Sequence, residues 1–166
     1  MTLSEHTNLR KVKRMLTYRQ ALISEVQEQI EPLAKKHLEE TDNRLPDFAE
    51  VSVNFDLYKA MEVDGICALF VAEDGEKVVG YLCVYVVETP HIQGYLQAVA
   101  DALYVDNTAR KGRAATELIK MAEQYARDMS CSYMTLCFKA NNPHKLFCNS
   151  IGYKEDDIMY SKSLDV

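Results

Sequence analysis

Apolar positions change their period several times along the chain, and each change marks a different kind of element. From residue 9 to 40 the spacing is helical, with Leu22, Ile23, Val26, Ile30, Leu33, Ala34 and Leu38 on one face. Thr17 followed by Gln20 has the form of a capping box. Pro32 predicts a kink or a division into two helices, because proline lacks a backbone donor and crowds the preceding turn. His37 reads as a surface helix position. Residues 41 to 50 are polar, contain Pro46 and predict a loop. Phe55, Tyr58 and Met61 predict a short helix over 54 to 63, ended near Asp64 and Gly65.

After Gly65 the pattern becomes β-prone. Residues 66 to 72 and 78 to 87 are strands joined through Glu73 to Lys77, a hairpin signal. A loop from Glu88 to Tyr95, with Pro90 and Gly94, leads to a third strand over 96 to 105, completing an antiparallel meander. Helical spacing returns over about 116 to 129, followed by a strand at 133 to 138, a short helix at 143 to 150 stopped by Gly152, and a last strand at 157 to 164. A strand, helix, strand unit of this length crosses over right-handedly and pairs its strands in parallel. The expected fold class is therefore α/β (α+β), a mixed, mainly antiparallel sheet of about six strands with helices on both faces.

Length and composition limit the remaining choices. At 166 residues and 48% apolar the chain suits one domain over 1 to 166. With no apolar run near 18 residues and a polar N-terminus, the expectation is a cytoplasmic protein without membrane partners. Cys67, Cys83, Cys131, Cys137 and Cys148 contain no Cys-x-x-Cys pair and read as free thiols, with no metal expected. A net charge of −6 argues against a nucleic-acid partner.

Against that acidic background one turn is strongly basic. Arg110, Lys111, Gly112 and Arg113 stand between the strand ending at Val105 and the helix that follows, with Ala114, Ala115 and Thr116 leading into it. The first amides of a helix lack intrahelical partners, and with the helix dipole and three cations they make a site for a small anion such as phosphate.

These residues resemble a known family. Val105, Arg110, Ala115, Leu118 and Ile119, followed by Asn141, Phe147, Gly152 and Tyr153, are similar in order and spacing to the GCN5-related N-acetyltransferase (GNAT) superfamily. Two departures stand out: Arg113 occupies the place of the family's first glycine, with Gly112 one position earlier, and Cys148 stands where members often carry a tyrosine acid. The resemblance implies a short first strand, for which Val12 to Leu16 is a candidate. It also implies acetyl coenzyme A as co-substrate, its pyrophosphate on the turn, an oxyanion-binding strand amide near Leu103, Tyr104 and Val105, and a cofactor contact from Asn141.

Acetyl transfer to an amine needs a neutral amine, donors for the oxyanion and a proton for the leaving thiolate. Asp101, between Ala100 and Ala102 in a β-prone run, is the candidate base on the expectation that it is buried with a raised pKa. Glu88 and His91 are the loop candidates, and Cys148 is the candidate acid. The expected function is transfer of an acetyl group to a primary amine, on a small molecule or a protein lysine, by direct attack in a ternary complex. A non-catalytic acyl coenzyme A binding module of the same fold is the alternative, and a homodimer is among the expectations.

Overall fold

The computed structural model describes residues 15–41, 52–110, 112–139, 144–157 and 159–160. Among them five strands form one sheet in the order β1-β2-β3-β4-β5. The strands are β1 (Thr17–Ala21), β2 (Cys67–Asp74), β3 (Lys77–Glu88), β4 (Leu96–Val105) and β5 (Tyr133–Leu136), and the helices are α1 (Ile23–Thr41), α2 (Phe55–Val63), α3 (Ala114–Asp128) and α4 (Lys145–Ser150). The first four strands are antiparallel neighbours, and β5 joins β4 in parallel through α3.

The continuous apolar runs of β2 and β3 follow from burial on both faces. Ala68, Phe70, Leu82 and Val84 pack with Leu118, Ile119 and Ala122 of α3. On the other face Leu69, Val71, Tyr81 and Cys83 pack with Val26, Ile30 and Leu33 of α1, with Phe55, Tyr58 and Met61 of α2 against them. Strand β3 also carries Gly80 where β4 comes closest: a Cβ there would lie 3.0 Å from the Tyr104 carbonyl oxygen.

The structure corrects several expectations. Thr17 and Gln20 lie in β1, paired with Glu73 and Phe70 of β2, so no capping box forms; sheet pairing overrides the local signal. Leu22, expected on the apolar face, is exposed at the strand-to-helix junction. Pro32 lies inside α1, which runs through it as one helix rather than two. The sheet has five strands, not six: within the expected strand over 157 to 164, residues 157, 159 and 160 have no strand structure, and the others lie outside the described residues. Val12 to Arg14, most of the candidate first strand, also lie outside them, as do residues 42 to 50 of the Pro46 loop. No helix among the described residues is long and apolar enough to cross a membrane.

Candidate functional site

The site grows from an irregularity in β4. Cys83 of β3 pairs with Ala102 while its neighbour Val84 pairs with Ala100, so Asp101 is an extra residue, a β-bulge. Packing shows the consequence: Ala98 and Ala100 belong to the α3-side core, Ala102 and Tyr104 to the α1-side core, and Leu103 and Val105 to the α3 side again. Alternation has slipped by one residue, which also changes the direction of the peptide groups.

Before the bulge, β4 serves β5. The pairs run from Gln97 with Tyr133 to Ala100 with Leu136, and the last bond is Cys137 N–H to the Ala100 carbonyl at 3.0 Å. Beyond Ala100, β4 stays paired with β3 as far as Val105 with Gly80, but β5 no longer follows it. The Asp106 N–H bonds to Val79 on the β3 side, whereas the Val105 carbonyl accepts from Arg110 Nε at 2.6 Å. Peptide groups alternate along a strand, so those of Leu103 and Val105 point away from β3, into the opening left, among the described residues, where the chain after β5 no longer pairs with β4.

The basic turn closes the same end of the opening. Asp106 accepts from Thr108 N–H at 3.1 Å and the Thr108 hydroxyl at 2.8 Å, with Lys36 Nζ 3.1 Å from its other oxygen. These bonds, the backbone one first, pull its pKa down to about 2. A carboxylate whose folded pKa lies below the usual 3.9 stabilises the fold above pH 4 and loses that contribution as pH falls toward 2. The melting-temperature gap between parent and Asp106→Asn should therefore be constant above pH 5 and shrink progressively below pH 4. A gap unchanged down to pH 2 would contradict these bonds.

Arg110 is engaged. Besides the Val105 carbonyl it pairs with Glu40 of α1 and lies over the Tyr104 ring, 5.2 Å from the centroid. Tyr104 donates to Glu40 at 3.0 Å, and burial followed by that carboxylate pushes its pKa to about 12. Burial alone would raise Glu40, but bonds from Arg110 and Tyr104 outweigh it and hold its pKa low. His37, expected at the surface, is half-buried, stacked on Tyr104 at 5.3 Å, with Nδ1 2.9 Å from the Tyr81 hydroxyl. Burial lowers its pKa. Arg110 thus braces the turn against α1, and no local signal in the chain marked Glu40 as its partner.

The structure brings together Leu103, Tyr104, Val105, Arg110, Gly112, Arg113, Ala114, Ala115 and Thr116 at one end of β4. Arg113 is exposed and is the N-cap of α3, with no side-chain capping bond to the helix amides. Ala114 faces the core. Lys111 and Asn141 lie outside the described residues. Asp101 is exposed rather than buried, so the premise for its role as a base is corrected. Glu88 sits opposite Leu96, at the other end of β4 from the turn, and its carboxylate accepts from Gly94 N–H at 2.6 Å, bracing the loop. His91 is exposed in that loop. Cys148 is half-buried on α4, where burial pushes its thiol up. All five cysteines are free.

The family model of the acetyltransferase (GNAT) family matches residues 29–153, more than half of the chain. The chain belongs to this family. Solved structures agree in fold. An aminoglycoside acetyltransferase from an uncultured soil metagenomic sample, in complex with trehalose, superposes with a TM-score of 0.71 at 17% identity, covering 93% of this chain and 100% of that one. Glucosamine-6-phosphate N-acetyltransferase from Arabidopsis thaliana gives 0.71 at 17% identity, covering 91% and 99%. A protein described as a transcriptional regulator from Bacillus halodurans C-125 gives 0.72 at 21% identity, covering 90% and 100%. Among curated proteins no sequence matches the chain. Membership of the GNAT family accounts for the mixed, mostly antiparallel sheet with its helices.

Proposed function

We propose that the protein is an acetyl coenzyme A dependent N-acetyltransferase acting on a primary amine by direct attack in a ternary complex. The observation that carries the reading is the parting of β4 from β5 after Ala100, which leaves the peptide groups of Leu103 and Val105 facing an opening that ends at the α3 N-terminus. The residues fit the co-substrate: a strand edge that no described strand covers suits its amide-containing arm, and helix amides beside Arg113 suit its pyrophosphate.

In this reading Arg113, with the amides of Ala114, Ala115 and Thr116, holds the phosphates, while Arg110 keeps the turn in place through Glu40 and the Val105 carbonyl. Lys111, Gly112 and Asn141 complete the proposed contact set. The co-substrate supplies the activated acetyl group as a thioester. A Leu103 or Val105 N–H donates to the oxygen that gains negative charge, which is the largest electrostatic contribution a backbone can make here. Cys148 keeps its proton because burial raises its pKa, so it is available to protonate the departing thiolate. Glu88 shapes the loop at the far end of β4. Asp101 adds negative charge beside the opening, which favours an amine acceptor over an acidic one.

The test is thiol release from acetyl coenzyme A across a panel of primary amines, with the acetylated amine confirmed by mass. Amine-dependent release is expected. Binding of the co-substrate without release by any amine would leave the binding-module reading instead.

A further inference from the structure

On the sheet face covered by α1 and α2, beside the bulge, stand three side chains that no part of the acetyl-binding apparatus uses. Tyr85 of β3 stands opposite Val99, so Asp101, two residues further along β4, is its diagonal neighbour on the same face. The bulge keeps Asp101 and Ala102 both on that face, opposite Cys83. From α2, Tyr58 lays its ring nearly parallel to Tyr85, with centroids 6.4 Å apart and an angle of 18°. Burial, the largest influence on both phenols, raises their pKa values and keeps them protonated. Both rings are half-buried and Asp101 is exposed. An exposed carboxylate beside aromatic faces is a setting for a cation, which is attracted by both.

We propose that Tyr58, Tyr85 and Asp101 select a short diamine or polyamine, holding the ammonium that does not react; the proposal rests on the acetyltransferase reading. The reacting nitrogen must lose its proton before it attacks, so a contact that selects charge throughout the reaction has to hold a second nitrogen. Spacing fits this division. Two residues of strand separate Leu103 from Asp101, roughly 6 to 7 Å, and four methylenes separate the nitrogens of 1,4-diaminobutane by roughly 6 Å. Tyr58 and Tyr85 are therefore specificity-determining positions, and Asp101 supplies the charge.

The experiment compares 1,4-diaminobutane with 4-aminobutan-1-ol, equal in length and differing by the second charge. The parent should favour the diamine about tenfold or more in kcat/KM, chiefly through KM, with the preference shrinking at high salt. Asp101→Asn and Tyr85→Leu should bring the ratio close to one. Tyr85→Phe keeps the ring and should keep most of the preference, which separates loss of the aromatic face from loss of the fold. Equal kcat/KM for the two amines in the parent, or an unchanged preference in both Asp101→Asn and Tyr85→Leu, would overturn the proposal while leaving acetyl transfer intact. Turnover of no amine at all would overturn both.

Discussion

Replacing Leu118 by Ala should lower the free energy of unfolding by about 2 to 5 kcal/mol. The side chain is fully buried, one turn into α3, packed in the core shared with β2, β3 and β4. Truncation removes its transfer free energy and leaves a cavity that surrounding strands, held in register on both sides, cannot collapse to fill. The functional consequence is specific, because the same helix presents its first amides to the proposed phosphate site. Urea unfolding should show a lower midpoint at unchanged slope, and co-substrate affinity measured far below the midpoint should change much less than stability. A loss under about 1 kcal/mol would mean that α3 is not anchored at this position.

Replacing Arg113 by Ala should weaken coenzyme A binding by about 1 to 3 kcal/mol, the scale of one charge-assisted contact. Arg113 is the exposed N-cap residue of α3, next in the chain to the first helix amides. Its loss should shrink at high salt, since exposed charges are screened. Arg113→Gly sets two effects against each other: the lost cation weakens binding, and a more permissive backbone lets the amides come closer to the phosphates. The cation should dominate. The turn needs no extra freedom, because Gly112 next door already supplies a residue without a side chain. Titration calorimetry of both variants decides it, and parent-like affinity in Arg113→Ala would remove this residue from the phosphate site.

How much of this could be read in the chain depends on how local the determinants are. The α3 face, the meander and the turn between Val105 and Ala114 follow from short-range periodicity, and the structure places them within a few residues of expectation. Strand β1 was hidden because its identity lies in pairing with β2, more than forty residues away, while Thr17 and Gln20 mimic a helix start. Asp101 looked out of place in a β-prone run, and it is. The reason is a bulge that turns it toward solvent, a feature created by the register of Cys83 and Val84 and invisible in alternation alone. Nothing local marks Gly80, since its need arises from the approach of Tyr104 on another strand. The brace from Glu40 to Arg110 and the pairing of Tyr58 with Tyr85 likewise join distant segments.

The central claim is that the opening beside β4 and the amides of α3 hold coenzyme A by its phosphates. Titrating the parent protein with coenzyme A and with pantetheine, which lacks the nucleotide and its phosphates, tests it most directly. Several charge-assisted contacts are at stake, so coenzyme A should bind at least about tenfold more tightly, with most of that advantage lost in Arg113→Ala. Equal affinity for the two ligands would contradict the account, because the turn from Arg110 to Thr116 would then hold no phosphate.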